Sequence, residues 1–330
     1  MEKKIFFFFT IISFITLTVI GIFNFVVDAD YKFYKKKYFI SELQKNFAEK
    51  KIIYLPKNAD FRLIKRYLFN EYNDNLDILL CGPSKTASIN TDFFKNKKFL
   101  NISVQAMNID DLNNLCFDAY NKLKPKIIII EISHDLFDNY YSNRFNLKNN
   151  QNANYTFKFL KPNFFSLLEY SYTKKNFLFL LNSLTNNFNS PDEYVELYYD
   201  GSMNLQPNIK RNYNYYNNDK DSLVLAKSEN NELFKMDKNI YSQLDNILNY
   251  FSTKSEVYLL QVPLNSIFDK VSYQDNENYL IIENLLKQLE KKKINIIGSF
   301  HNSDVGCTDK DYLTVNHPNI NCLKKIFINF

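Results

Sequence analysis

Two segments far apart in this chain carry residue types that could do nucleophilic chemistry together. Residues 77–86 read Asp-Ile-Leu-Leu-Cys-Gly-Pro-Ser-Lys-Thr, the pattern of a short buried strand ending in a tight turn that exposes Ser84. Residues 311–318 read Asp-Tyr-Leu-Thr-Val-Asn-His-Pro and could return His317 to the same face of an α/β sheet. A nucleophilic serine needs a base to take its proton, a group to orient that base, and donors for the oxyanion. Such groups gather at the carboxyl ends of the strands in open α/β sheets, and a working serine–histidine pair stands about 3 Å apart. Gly82 permits the close turn, and the Ser84 N–H could serve the oxyanion if a helix starts there. Asp309 and Asp311 are the nearby candidate acids. A turn serine with a purely structural role explains a Gly-x-Ser after a strand equally well. A phosphate loop does not fit, because the Walker pattern needs a second glycine followed directly by Lys-Ser/Thr, and Pro83 removes a backbone donor.

The elements that would position these residues follow from the apolar pattern. Apolar runs alternate with amphipathic stretches, as in a parallel sheet wrapped by helices. Strands are expected at 77–81, 99–104, 126–132, 256–262 and 294–297. Ile109, Leu112, Cys116, Ala119 and Leu123 recur at three and four residues, the spacing of one helix face. Tyr241, Leu244, Leu248 and Phe251 do the same, as do Ile282, Leu285, Leu286 and Leu289. Residues 28–75 hold helix candidates at 39–49 and 61–72 and read as a juxtamembrane layer. Residues 139–230 read as an insertion in the main domain, 76–330, containing a hydrophobic helix at 164–184. Because that helix includes Glu169, Lys174 and Lys175, it reads as buried or interfacial and not as a membrane span. His134 reads as a loop or core histidine.

The first 27 residues are of another kind. Residues 5–27 carry no charge, and as a helix they extend roughly 34 Å, enough to cross a bilayer core. Their length favours an anchor over a cleaved signal peptide, whose core runs about 7 to 15 apolar residues, although Val27-Asp28-Ala29 loosely fits a cleavage site. Lys3 and Lys4 precede the span while Lys32, Lys35, Lys36 and Lys37 follow it, so lysine count gives no preference for orientation. The net charge of +5 is modest and its lysines are scattered among acids, which argues against a nucleic-acid partner. Cys81 and Cys116 read as small core residues. Cys307 and Cys322 flank the His317 loop and in an oxidising compartment could close it with a disulfide worth on the order of 3 kcal/mol. No cysteine or histidine spacing suggests a zinc site.

The order of segments resembles the membrane-anchored SGNH hydrolase-like proteins of bacterial cell envelopes, related to teichoic-acid D-alanine transfer and alginate acetylation proteins. The likeness lies in Val27-Asp-Ala-Asp-Tyr-Lys-Phe33 after the anchor, Leu80-Cys-Gly-Pro-Ser-Lys-Thr86, Asn101-Ile-Ser-Val-Gln-Ala-Met107, Tyr199-Asp-Gly-Ser202, and a last block running from Gly298-Ser-Phe300 through Gly306-Cys307 to Tyr312–Pro318. It implies a flavodoxin-like SGNH three-layer α/β sandwich with a mostly parallel sheet of about five strands, preceded by one transmembrane helix. It implies Ser84 as nucleophile, His317 as base, and Ser84, Ala106 and Ser133 as oxyanion donors, with His134 an alternative to Ser133. The implied activity is that of an esterase or O-acyltransferase on ester or acyl groups of an envelope polysaccharide, with no cofactor. The body would lie outside the cytoplasmic membrane, beside an acyl donor and a membrane acyltransferase. The chain departs from the pattern in three places. Thr314 stands where the Asp-x-x-His block has its aspartate, Ala106 replaces a glycine, and Glu131-Ile-Ser-His-Asp135 lacks the usual asparagine. Loss of the orienting carboxylate costs about 10⁴ in turnover in a well-studied triad. The other expectation is therefore a catalytically degenerate protein that binds glycan or scaffolds an envelope-modifying complex.

Overall fold

The computed structural model describes residues 2–28, 36–56, 59–72, 75–133, 136, 167–184, 194–204, 238–270, 278–290, 294–314, 317–328 and 330. In chain order its helices are α1 (Glu2–Val27), α2 (Lys36–Ala48), α3 (Phe61–Glu71), α4 (Ile109–Asp111), α5 (Phe117–Leu123), α6 (Tyr170–Leu184), α7 (Lys238–Ser252), α8 (Ser266–Lys270), α9 (Asn278–Glu290) and α10 (Ile320–Ile326). A π-helical turn, Leu112–Cys116, joins α4 to α5. The main sheet is built from β2 (Ile78–Cys81), β3 (Phe99–Asn101), β4 (Ile127–Glu131), β7 (Glu256–Gln261) and β8 (Asn295–Gly298). Its order is β3-β2-β4-β7-β8, and every pair is parallel. Counted along the sheet this is the flavodoxin-like order 2-1-3-4-5.

The five expected strands are the five of this sheet, though β3 and β4 stop short of the runs 99–104 and 126–132. Interstrand bonding continues past their regular ends: Ile102 N donates to Leu80 O, Val104 N to Gly82 O, and Ile132 N to Leu260 O. Strands of a parallel sheet are buried on both faces and so read as unbroken apolar runs. Alternate residues divide between two cores. Leu79, Cys81, Leu100, Ile128, Ile130, Val257 and Leu259 face the larger core, with α3, α5, α7 and α9. Ile78, Leu80, Phe99, Ile129 and Leu260 face a smaller one, closed by Phe94 and by Leu323 and Phe327 at the chain's carboxyl end. The connection from β2 to β3, together with α10, therefore covers one face, while α3, α5, α7 and α9 cover the other. That is what right-handed crossovers require when the strand order reverses, and it opens a crevice at the switch point between β2 and β4.

Cys81 and Cys116 correct the expectation that they are merely core residues. They are joined by a disulfide, S–S 2.06 Å. The helical face holding Cys116 packs on the face of β2 that holds Cys81, so the two small side chains meet in one layer. A second sheet was not foreseen: β1 (Ile53–Pro56), β5 (Tyr194–Leu197) and β6 (Met203–Asn204) form an antiparallel ladder. It pairs the segment after α2 with the far end of the insertion. Most of the insertion, with its Tyr- and Asn-rich stretch, lies outside the described residues.

Helix α3 binds the sheet domain through cations. Arg62 forms two 2.6 Å bonds to the Asp111 carboxylate, and Arg66 reaches Asp118 at 2.6 Å. Between them Lys65 is fully buried; its Nζ donates to Asn101 O at 3.0 Å and to Gly201 O. Gly201 has φ 77°, and a Cβ there would strike the Asn101 carbonyl. Burial pulls the Lys65 amine down to about 7, against an upward pull from Asp200. A neutral amine still has two N–H groups for its two carbonyls, so the contact survives deprotonation. The folded state thus binds fewer protons than the unfolded state between about pH 7 and the ordinary lysine value of 10.5, and stability must rise with pH across that window. Substituting Lys65→Met should flatten this rise relative to the unsubstituted chain, measured by denaturant unfolding of the full-length protein in detergent from pH 6.5 to 10.

Candidate active site

Ser84 follows β2 directly, at the switch-point crevice. Pro83 has extended backbone (φ −78°, ψ −169°), and Ser84–Thr86 form one 3₁₀ turn. Gly82 is required by close approach: an added Cβ would overlap Thr86 Oγ1 and come within 2.9 Å of the Glu131 Cβ. The turn is tied from below. Thr86 Oγ1 donates to Pro83 O at 3.0 Å and shares a 2.9 Å hydrogen bond with Ser103 Oγ. The buried Asn101 amide donates to Thr86 O (2.9 Å), Ala87 O (3.3 Å) and Ile89 O (2.8 Å), while its oxygen accepts from Ser103 N at 2.8 Å. Asn101 ends β3, so one side chain links two strand ends to the serine turn.

His317 comes from the far end of the chain on a short antiparallel pair, β9 (Tyr312–Thr314) with β10 (His317–Pro318). Its Nε2 lies 2.9 Å from Ser84 Oγ, and both residues are half-buried. Several contacts fix this hairpin. Cys307 and Cys322 form a disulfide with Cα atoms 5.4 Å apart, joining the preceding loop to α10. The Tyr312 hydroxyl donates to Leu264 O at 2.7 Å, and burial holds its phenol well above the usual range. Asn319 N donates to Asp311 O at 2.7 Å.

The two candidate acids are engaged in that framework. Asp309 accepts from Ser266 N at 2.8 Å and from the Ser266 hydroxyl. Asp311 accepts from Thr308 N at 2.9 Å and Lys325 Nζ at 3.2 Å. Burial pushes the Asp311 carboxyl up, but the Thr308 N–H and Lys325 outweigh it and the net shift is down. None of these hydrogen bonds leads to His317. Thr314 is the register partner of His317 across the hairpin.

The three candidate oxyanion residues sit on loops after three neighbouring strands: Ser84 after β2, Ala106 after β3 and Ser133 after β4. Ala106 has φ 49°, the left-handed region where a residue with a Cβ is strained by about 1 kcal/mol or more. That is the physical reason a glycine suits the position. Arg62 holds the strained turn from outside, its Nη2 donating to Gln105 O (3.2 Å) and Ala106 O (3.4 Å). Ser133 is 1 % exposed, and its hydroxyl has no hydrogen-bond partner among the described residues. A buried hydroxyl left so costs about 1–3 kcal/mol. His134 lies outside the described residues.

Three features escaped the reading of the sequence. Lys85, next to the serine, is buried. His301 pairs with Asp269 across two elements, Nδ1 to Oδ2 3.0 Å; burial works to lower its pKa, but the carboxylate outweighs it and the net shift is upward. The Asp200-Gly201-Ser202 turn proves to be a brace: Asp200 accepts from Thr91 N (2.8 Å) and Ser202 N (3.0 Å), and its carbonyl from Asn101 N (2.8 Å). The pairings of these residues were not visible in sequence, since each partner comes from a distant segment.

The fold and the pair together define an α/β protein of flavodoxin-like strand order with a serine–histidine contact at the carboxyl edge of its sheet. No protein-family model matches the chain, and no curated protein matches it. Among solved structures it is similar to a proposed acylhydrolase from Bacteroides fragilis, at 9 % identity and a TM-score of 0.41, over 82 % of this chain and 95 % of that one.

The Asn101 node yields a direct test. Asn101→Leu leaves Ile89 O and Ser103 N without these partners while Thr86 O and Ala87 O keep bonds from Ile89 N and Met203 N. It should cost on the order of 3 kcal/mol of unfolding free energy, read from a shifted denaturant midpoint at unchanged slope.

Proposed function

We propose that this chain is a membrane-anchored SGNH-like protein acting on ester or acyl groups of a cell-envelope polysaccharide, as an esterase or O-acyltransferase. The observation that carries this reading is the 2.9 Å contact between Ser84 Oγ and His317 Nε2. With Nε2 unprotonated, the imidazole takes the serine proton as Oγ attacks the acyl carbon, and returns it to the leaving oxygen when the tetrahedral adduct collapses. Water, or a sugar hydroxyl in a transferase, then attacks the acyl-serine with the same base. The N–H groups of Ser84 and Ala106 and the Ser133 hydroxyl serve the oxyanion. Each such donor contributes on the order of 3 kcal/mol to a transition state of this kind.

Anchoring is supported by the helix Phe6–Val27, long and apolar enough to cross a membrane. An extracytoplasmic body is supported by the state of the cysteines, all four of which are in disulfides, bonds that persist in oxidising compartments. The polysaccharide, the acyl donor and a membrane acyltransferase partner come from the resemblance of the sequence blocks alone.

A second reading, a catalytically degenerate protein that binds glycan or scaffolds an envelope-modifying complex, is favoured by Thr314 and by the engagement of Asp309 and Asp311 elsewhere. Fluorophosphonate labelling of the full-length protein in detergent separates the two. Catalysis predicts labelling of the native chain that Ser84→Ala abolishes and His317→Gln slows by about 10² or more. Absence of Ser84-dependent labelling, with glycan binding retained, selects the second reading. Cross-strand partners have Cβ atoms about 5 Å apart, so a carboxylate at position 314 comes within reach of the imidazole. Thr314→Asp should raise the labelling rate about 10-fold or more, and an unchanged rate would show that orientation of His317 is already supplied.

A further inference from the structure

Helix α6 satisfies the polar end of α1. Asn24 is fully buried, and its amide donates to Leu167 O at 2.5 Å and Thr173 Oγ1 at 2.7 Å. The buried Asn176 donates to Asn24 Oδ1 at 2.9 Å and Asn24 O at 3.3 Å. Tyr172 donates its hydroxyl proton to Asp28 Oδ1 at 2.9 Å. Gly21 faces Leu168 at the same crossing. Polar side chains near a hydrocarbon layer are tolerated when they are bonded to protein partners, and α6 provides those partners.

Depth follows from helix geometry. From Phe6 to Asn24 the axis rises about 27 Å, close to the roughly 30 Å of a bilayer core. Helix α6 therefore crosses α1 where the span leaves the hydrocarbon. Away from this contact α6 turns large apolar side chains outward: Phe177 is 53 % exposed, Leu178 44 % and Leu181 40 %. These three share a helix face with the exposed Lys174. The α1 helix on which α6 packs has exposed apolar side chains of its own along this stretch, among them Val19, Ile22 and Val26. Aromatic and lysine side chains at a membrane boundary keep their polar ends in the headgroup layer; Tyr170, 81 % exposed, and Lys174 fit that role.

We propose that α6 lies in the membrane interface beside α1 with its Phe177-Leu178-Leu181 face against lipid, a second membrane contact that fixes how the domain stands over the bilayer. The occupant of this face is lipid because the face belongs to a helix packed on α1, whose side away from α6 exposes Ile22 and Val26 that need lipid at the same depth. Two contacts at one boundary restrain tilt and rotation, which a single span does not. The inference rests on the membrane-anchored reading.

Because every native cysteine is in a disulfide, single added cysteines can carry a nitroxide without further changes. The full-length chain, reconstituted in phosphatidylcholine/phosphatidylglycerol vesicles, would be labelled separately at Leu178→Cys, Leu181→Cys, Ile15→Cys within α1, and Ile52→Cys on the domain surface. Spin-label saturation then reports collision with oxygen, which concentrates in lipid, and with a water-soluble nickel chelate. Labels at 178 and 181 should favour oxygen as the one at 15 does, with nickel collisions several-fold fewer than at 52. Water-exposed labels at 178 and 181 with a lipid-exposed label at 15 overturn the inference and leave the anchor intact. A water-exposed label at 15 overturns the anchored reading itself and this inference with it. Labels at 178 and 181 closed to both reagents mean that protein covers the face, which also overturns it.

Discussion

One buried amide holds the architecture of the site together. Asn101 ends β3, beside the strand from which the serine turn springs, and its side chain bonds the carbonyls of Thr86, Ala87 and Ile89. Its own carbonyl receives the Lys65 amine, and its N–H goes to Asp200. Buried polar groups are expensive unless bonded. A residue that satisfies neighbours on the serine turn, on α3 and on the insertion therefore couples their positions. The Ser84 turn, helix α3 and the Asp200-Gly201-Ser202 brace are thereby coupled.

The same economy appears where the chain uses charge. Arg62, Lys65 and Arg66 occupy one side of α3 and bind Asp111, two backbone carbonyls and Asp118. Arg62 also holds the left-handed turn at Ala106, so the segment between the apolar helix and the sheet shapes a loop of the candidate site. At the other end, His317 depends on a frame of covalent and polar contacts: the Cys307–Cys322 disulfide, Tyr312 on Leu264 O, and Asp311 with Lys325. The carboxylates near the histidine are employed in building that frame. Thus the chain places its serine and histidine in contact with Asp309 and Asp311 bonded elsewhere.

How much of this was legible beforehand depends on whether the signal was local. The five strands of the main sheet and helices such as α7 and α9 were legible, because two-sided burial and a three-to-four residue stripe are imposed on contiguous residues. The serine turn was legible from Gly82 and the apolar run before it. The antiparallel sheet β1-β5-β6 was not, because its strands are short and their partners lie across the insertion. The disulfide between Cys81 and Cys116 was hidden for a related reason. Each cysteine sits in an apolar pattern that looks like core, and only the docking of one helix on one strand brings the two sulfurs together.

Neighbours along the chain were enough to fix the apolar helix, the alternation that builds a parallel sheet, and the residue types offered at positions 84 and 317. Tertiary structure alone decided that Ser84 and His317 meet at 2.9 Å, that Ala106 is left-handed, that Lys65 is dry, and that α6 covers the polar end of α1. The physical reason is common to all four. Each depends on which distant groups remain to satisfy a buried donor, acceptor or apolar face, and that is settled only when the layers close.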